Sequence, residues 1–411
     1  MARVCIVTGA HLCRNPRVVK EASALSEAGH RAVVLGPATH EDLAEEDAVL
    51  AQQGGFEHRF AVDLRPGAAG RDRHRIVRRA ATEAVARLGL QRPESLGYGV
   101  RVLLAAARRE QADLTIGHQE VGVYVVAQLL REGVRVGADI EDWHSEDQLA
   151  EWQRRPRRLL RASEAAVLRE AAYTMTTSHA LAEALAATYA APKPAVVYNA
   201  FPWAERTDLD ALAKDRPDRT LPSLHWVSQT VGPGRGLSVL FDALALVSQP
   251  VAVHLRGRVG DADRIWLDDR FPTAPGHRLF THDLVSPAEL LSRIAEHDVG
   301  LALEETEPAS RNLTVTNKIL HYLLGGLAVV ATDTAGQVEI AERAPDAVSL
   351  CRSGDAESLA EAIGSFLSSS ERLAAAKAAA LRAAESRFSW EQQRPVLVRT
   401  VEQALSPVPG P

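Results

Sequence analysis

Asn312–Asp333 reads NLTVTNKILHYLLGGLAVVATD, and three textures follow one another within it. Asn312 to Asn317 is polar, with Thr314 and Thr316 among its short hydrogen-bonding side chains. From Lys318 the apolar residues Leu320, Leu323 and Leu324 recur on one helical face, which predicts an amphipathic helix. Gly325 and Gly326 stop it, and the apolar run Leu327 to Thr332 then makes a strand buried on both faces, ending at Asp333. Loop, helix start, glycine pair and buried strand are the parts of an α/β unit. Free N–H groups at the helix start, beside Lys318 in its first turn, form a place where a phosphate can sit.

Outward from this segment, the same alternation fills the chain. Val4–Thr8, Ala32–Leu35, Asp113–Ile116, Val134–Ile140, Thr174–Thr177 and Ala195–Tyr198 read as strands. Helices over Val18–Ala28, Val121–Arg131, Leu159–Ala171 and Ala180–Thr188 separate them, which predicts a parallel sheet. Asn199–Ser223 is rich in Pro, Asp and basic residues and lacks apolar periodicity, so it reads as a linker. The pattern then restarts: strands Leu224–Val227, Val251–Leu255 and Val299–Leu303, with helices Gly236–Val247, Pro287–Ile294 and Ala356–Leu367. Phe388–Leu405 closes the chain as a helix. Two βα series joined by one linker predict two doubly wound domains facing a cleft.

Composition narrows the function. A length of 411 residues suits two or three domains, and 46% hydrophobic against 24% charged residues is ample material for two cores. A formal net charge of −6 speaks against a nucleic-acid partner. Cys5, Cys13 and Cys351 are too few and too scattered for a disulfide framework or a zinc site. No apolar run is long enough to span a bilayer, and MARVCIVTGA runs straight into Gly9 as a strand rather than a signal peptide, so a cytoplasmic protein is expected. Abundant Ala, Arg and Gly with two Met suggest a GC-rich, actinobacterial genome.

The Asn312–Asp333 segment resembles the "NK-hydrophobe-FEY-hydrophobe-AG-PVV-AsD" signature of two-domain glycosyltransferases of the GT-B fold, specifically glycosyltransferase family 4. The resemblance extends over nearly the whole chain. NPRVVKEASALSEAGHRAVVL (Asn15–Leu35) is similar to the family's opening segment, GADIEDWHSED (Gly137–Asp147) to its "yD-x-HE", and VVYNAFPW (Val196–Trp203) to its hinge entry. It implies two Rossmann-like domains. Residues 1–200, with the helix 388–411 crossing back, would bind the acceptor; 201–223 would link; 224–387 would bind a nucleotide-sugar donor. It also implies retention of anomeric configuration, no metal and no separate cofactor beyond the nucleotide-diphosphate sugar as co-substrate.

Candidate residues follow from both readings. In SQTVGPGRGLSVLFDAL, Gly232, Gly234 and Gly236 permit a tight loop, and Arg235 sets a cation beside a helix start, the arrangement that cradles a diphosphate. Arg256, with Arg258, follows a strand in the same domain. The resemblance adds the backbone around Val285 for the base, and Asn312, Thr314, Lys318 and His321 for the rest of the donor. Gly9, at the end of the first strand, lets backbone approach a ligand closely. On the acceptor side, His118 at a predicted strand end and His144 with Asp142 nearby are the catalytic candidates, an imidazole tuned by a carboxylate. A metal site built from His118, His144 and Asp142 lacks a tight ligand spacing.

Three features depart from the family or stand outside it. His321 occupies the place of the glutamate that bonds the ribose in the signature, and Leu313 the place of the other; Glu304, Glu305 and Glu307 offer a substitute carboxylate or a solvated rim. Asp261-Ala262-Asp263 has the letters of a metal-binding DxD but reads as a loop turn. RDRHRIVRR (Arg71–Arg79) opens a basic helix with Ile76, Val77, Ala80, Ala84 and Leu88 on one face, able to lie on an anionic membrane or to pack with a solvated face. The expectation is therefore a glycosyltransferase acting on a lipid-linked, glycan or small-molecule acceptor such as an aminoglycoside- or lincosamide-type precursor. The alternatives are a binding scaffold without activity and a sugar-nucleotide epimerase.

Overall fold

The computed structural model describes residues 1–147 and 154–406. The chain divides into two compact units, Met1–Val197 with Arg394–Pro411, and Tyr198–Gln393.

The first unit opens with β1 (Arg3–Val7), α1 (Pro16–Glu27), β2 (Arg31–Ala38), α2 (Glu41–Gln53) and β3 (Glu57–Asp63). It continues through α3 (Arg71–Leu88), α4 (Val100–Glu110), β4 (Leu114–His118), α5 (Gln119–Arg131) and β5 (Val136–Ile140). It ends with α6 (Arg157–Glu170), β6 (Tyr173–Thr176), α7 (His179–Tyr189) and β7 (Ala195–Val196). The seven strands form one parallel sheet in the order β3-β2-β1-β4-β5-β6-β7. The order reverses between β1 and β4, where doubly wound sheets bind their ligands. β1, β4 and β5 are almost wholly buried, because helices cover both faces of such a sheet. At Gly122 the helix α5 comes so close that a Cβ would meet the Val7 carbonyl oxygen at 2.3 Å. That approach sets the start of α5 against the ends of β1 and β4.

The second unit repeats the plan with β8 (Ser223–Val231), α8 (Leu237–Leu244), β9 (Ala252–Val259), α9 (Asp261–Arg270), β10 (Arg278–His282) and α10 (Pro287–Ala295). Then come β11 (Val299–Ala302), α11 (Ala309–Leu313), α12 (Asn317–Gly325), β12 (Ala328–Thr332), α13 (Ala335–Arg343) and β13 (Val348–Cys351). Helices α14 (Ala356–Leu367) and α15 (Ser370–Ala383) follow. Its six strands are again parallel, in the order β10-β9-β8-β11-β12-β13, with the reversal between β8 and β11. Trp226, Leu240, Phe241, Leu255, Leu301, Val330 and Ile363 are among its core. Each such side chain contributes roughly 1.5–3 kcal/mol by leaving water. The last helix, α16 (Trp390–Leu405), belongs to the first unit from Arg394 onward. There Arg394 pairs with Glu27 at 2.8 Å and Arg135 donates to the Leu405 carbonyl at 3.0 Å.

The chain is thus α/β, two doubly wound parallel-sheet domains. Several local expectations need correction. Asp261-Ala262-Asp263 is no loop turn: it forms the first turn of α9, where carboxylates complement the helix dipole. The polar stretch from Asn312 is partly helical, since α11 runs to Leu313 and α12 already opens at Asn317. The linker stretch carries a 3-10 turn at Trp203–Asp208. On α3 the face of Ile76, Val77 and Leu88 is not the packed one; the residues that pack lie beside it. Ala81 and Val85 are buried, while Ile76, Val77 and Leu88 stand exposed.

Candidate functional site

In the first unit a polar cavity of about 510 Å³ opens at the reversal point, lined among others by Gly9, Gln119, Glu141, Asp142, His144 and Arg155. Gly9 lies just past β1, and its N–H donates to the Gln119 side-chain oxygen at 3.2 Å, which also accepts from the Thr8 hydroxyl at 3.1 Å. Two donors on one oxygen fix the carboxamide, so its NH₂ side is free to face a ligand. Gln119 opens α5 with φ +57°, a left-handed backbone costly for a residue with a side chain and common at functional sites. The sequence reading passed over Gln119; its position directly after His118 at a strand end was the available signal. His144 and Asp142 do line this cavity. The His144 Nε2 is buried and has no hydrogen-bond partner among the described residues.

His118 is elsewhere. It is fully buried, not facing a cavity, and its ring bridges Glu21 through Nε2 and Glu141 through Nδ1 at 3.0 Å. Burial alone would lower its pKa, but the Glu21 carboxylate, with the ring's hydrogen bonds to Glu141 and Glu21, outweighs that and raises it to about 10. The buried imidazole thus ties α1 to β4 through these carboxylates. Arg17, beside it, is buried as well. It is 3% exposed, donates to Asp139 at 2.7 Å, and also reaches the Val197 carbonyl at 2.8 Å. Two groups of potential metal ligands that spacing did not anticipate come together here, Glu21–His118–Asp139 and His11–Cys13–Asp47. Their atoms are committed to one another: His11 bonds Asp47 at 2.7 Å and Thr39 at 2.8 Å.

The second unit carries a cavity of about 240 Å³ at its own reversal point, lined among others by Pro233, Gly236, Glu304, Glu305, Thr332 and Arg352. The glycine-rich loop between β8 and α8 forms one wall. Gly236 has φ +81°, and a Cβ there would meet Leu303 Cβ at 2.5 Å, so only glycine fits. Arg235 adopts φ +56°; its N–H donates to Glu305 Oε1 at 3.0 Å and its guanidinium to the Ser228 hydroxyl. Gly232 is close-packed too, a Cβ meeting Asp263 Oδ1 at 2.8 Å, whereas Gly234 has open space. Lys318, in the first turn of α12, is ion-paired with Glu304 and lies 5.6 Å from the Trp226 ring. Glu304 is 6% exposed, so it is no solvated rim. Of the two glutamates that line the cavity, Glu304 therefore holds the Lys318 ammonium and Glu305 the Arg235 backbone, while the Arg235 guanidinium turns to Ser228.

The remaining candidates do other things. Arg256 is buried, ion-paired with Asp215 and donating to the Asp283 carbonyl, so it braces the β10 loop instead of facing the cavity. Asn312 accepts from the Ala335 N–H at 3.1 Å and so fixes the start of α13. Thr314 donates to the Ser310 carbonyl at 2.8 Å, ending α11. Val285 is half-buried in the loop before α10, whose cap is Ser286. His321 stacks on Phe201 with ring centroids 3.4 Å apart and does not line the cavity. Arg352 and Ser353, after β13, line it and went unnoticed in the sequence, since an ordinary loop Arg-Ser carries no motif.

A separate cluster lies toward the opposite, N-terminal end of the second sheet. His225 and His254 are register partners on β8 and β9. His297 stacks on His225 at 4.5 Å, and His282 bonds His254 at 3.0 Å. His225, His254 and His297 are buried, and five of their ring nitrogens lack a partner among the described residues.

No protein-family model and no curated protein matches the sequence. Solved structures share the fold over its full length. Anabaena HepE in complex with UDP-glucose is 17% identical, covering 98% of this chain and 100% of that chain with a TM-score of 0.69. Sucrose-phosphate synthase from Thermosynechococcus elongatus is 15% identical, with coverage of 98% and 99% and a TM-score of 0.68. UDP-GlcNAc 2-epimerase from Neisseria meningitidis, bound to UDP-GlcNAc, is 14% identical, with coverage of 98% and 100% and a TM-score of 0.58. The two doubly wound domains therefore make the GT-B fold, which this chain has in common with nucleotide-sugar transferases and epimerases alike.

Proposed function

We propose that the protein is a retaining, metal-independent glycosyltransferase that moves a sugar from a nucleotide-diphosphate donor to an acceptor held by the first unit. The observation that carries this reading is that Lys318 and the Arg235 backbone, at the starts of two helices, are each bonded to a glutamate lining one cavity, on a fold shared with UDP-glucose-bound HepE. As the glycosidic bond lengthens, negative charge grows on the leaving diphosphate. Arg235, Lys318 and the free N–H groups of α8 and α12 neutralise it, which is the work a metal does in other enzymes. The acceptor hydroxyl then adds to the same face of the sugar. Its proton leaves toward the diphosphate, while Asp142 and the orphaned Nε2 of His144 hold the acceptor. With Glu304 beside Lys318, the ribose is served by Glu304 or Glu305 in place of the signature glutamate.

A panel of nucleotide sugars in a thermal-shift assay tests this directly, since a ligand of the folded state raises the melting temperature. Stabilisation by one nucleotide-diphosphate sugar, followed by acceptor-dependent release of nucleoside diphosphate, supports transfer. The stacking of His321 on Phe201 favours a second reading, a scaffold that has given up the ribose contact. No stabilisation by any member of the panel would favour that reading, and release of a 2-epimerised sugar nucleotide would favour the epimerase.

A further inference from the structure

On α3, Arg75, Arg78 and Arg79 stand at the i, i+3, i+4 spacing that puts side chains on one face. With Arg154, Thr82, Glu83 and Tyr98 they line a second hollow of about 430 Å³. It shares Arg78, Thr82 and Arg154 with the cavity of Asp142 and His144. Four guanidinium groups there face one carboxylate. Glu83 is divided between Arg87 at 3.1 Å and Arg154 at 3.7 Å, and Arg75, Arg78 and Arg79 have no ion pair among the described residues. Arg78 is held in place over the Tyr98 ring at 4.4 Å.

A row of arginines on a surface helix is ordinarily a solvated face. Two observations weigh against that here. Elsewhere in the unit several surface arginines hold a carboxylate, as Arg31, Arg65, Arg101 and Arg108 do, whereas Arg75, Arg78 and Arg79 crowd together at one hollow with no ion pair among the described residues. And α3 buries only Ala81 and Val85, so its packing gives no reason to gather like charges at the mouth of a cavity. Guanidinium forks match the oxygens of a phosphate, and the Thr82 hydroxyl supplies a further donor.

We infer that the acceptor carries a phosphate-type anion, held by Arg75, Arg78, Arg79 and Arg154, while its sugar or polyol part lies in the adjoining cavity. The inference rests on the transferase reading and names the acceptor class for it. A soluble phosphate ester and a phospholipid headgroup share this chemistry. The exposed Ile76 and Val77 beside Arg75 make the second source accessible.

The test titrates the intact protein with inorganic phosphate by calorimetry while UDP is saturating, so that donor-side phosphate contacts are occupied. The Arg75→Ala/Arg79→Ala protein, having lost two charge-assisted bonds, should bind phosphate at least about tenfold more weakly, and Glu83→Gln more tightly. UDP affinity should be unchanged in both. In parallel, sedimentation with phosphatidylcholine vesicles containing about 30% phosphatidylglycerol at low salt reads the lipid source. Phosphate binding weakened in the double variant supports a soluble ester. Vesicle binding weakened in the double variant, with no response to free phosphate, supports a headgroup. If the wild type binds neither, or if the double variant binds as well as the wild type, the inference falls. If neither UDP nor any other nucleoside diphosphate binds, the transferase reading falls instead, and the phosphate and vesicle arms still judge the hollow.

Discussion

Lowering the pH from 7 to 5 should loosen the second unit most, because three of its buried histidines resist protonation. His225 and His297 are fully buried and held well below the ordinary imidazole value, first by burial and then by neighbouring positive groups. His254 is lowered to about 3, again mainly by burial. The charges around them are Arg216, Arg256, Asp215 and His282. Since the folded pKa values lie below the unfolded value of about 6.5, the unfolded chain binds more protons in acid. Stability is complete above that value and is lost as pH falls through it. Each histidine then contributes a slope of up to about 1.4 kcal/mol per pH unit, or roughly 2 kcal/mol between pH 7 and 5. Three together reach on the order of 6 kcal/mol, comparable with the whole stability of a domain. Glu296, raised mainly by burial, returns part of this near the acid end. Hydrogen-exchange mass spectrometry, corrected for intrinsic rates, should show protection in the β8 and β9 peptides collapsing toward pH 5. Equal protection at pH 7 and 5 would refute the argument.

In the first unit His118 runs the other way, while His58, lowered to about 4 mainly by burial, follows the direction of the second unit. The His118 value is raised to about 10, so its stabilisation is present below the unfolded value of about 6.5 and fades as pH rises through 10; exchange in the β4 peptide reads this. His118→Leu, leaving Glu21 buried without its partner, should cost about 3–5 kcal/mol in urea denaturation. Arg235→Ala should weaken nucleoside-diphosphate binding by about 1.5–3 kcal/mol with the fold intact, and unchanged affinity by calorimetry removes Arg235 from the site. His321→Glu should keep donor affinity, because the ring packs on Phe201 and does not line the cavity. Abolished binding would instead put His321 in the pocket. Transfer should persist in EDTA, and activity restored only by magnesium or manganese would contradict the metal-independent mechanism.

What the sequence made legible follows from burial. Strands covered on both faces, such as Val4–Val7 and Ala328–Thr332, are continuous apolar runs, and the reading found them. The edge strands β3 (EHRFAVD) and β10 (RLFTH) mix polar and apolar residues because one side meets water, and they went unread. Glycine-rich loop and lysine were visible because their chemistry is local. The fates of His118 and Arg256 were not, because each is decided by carboxylates far along the chain: Glu21 and Glu141 for one, Asp215 for the other. Gln119 escaped because nothing in its letter reveals a left-handed backbone.

On the transferase reading, the bond between Lys318 and Glu304 makes the donor side a latch with a preference for highly charged ligands. A weakly charged guest offers the ammonium nothing better than the carboxylate it already holds. A diphosphate that is gaining charge as its bond to the sugar breaks does, so Lys318 changes partner late. On the transferase reading, that timing places its help where it speeds the reaction, in the transition state and not in the resting complex.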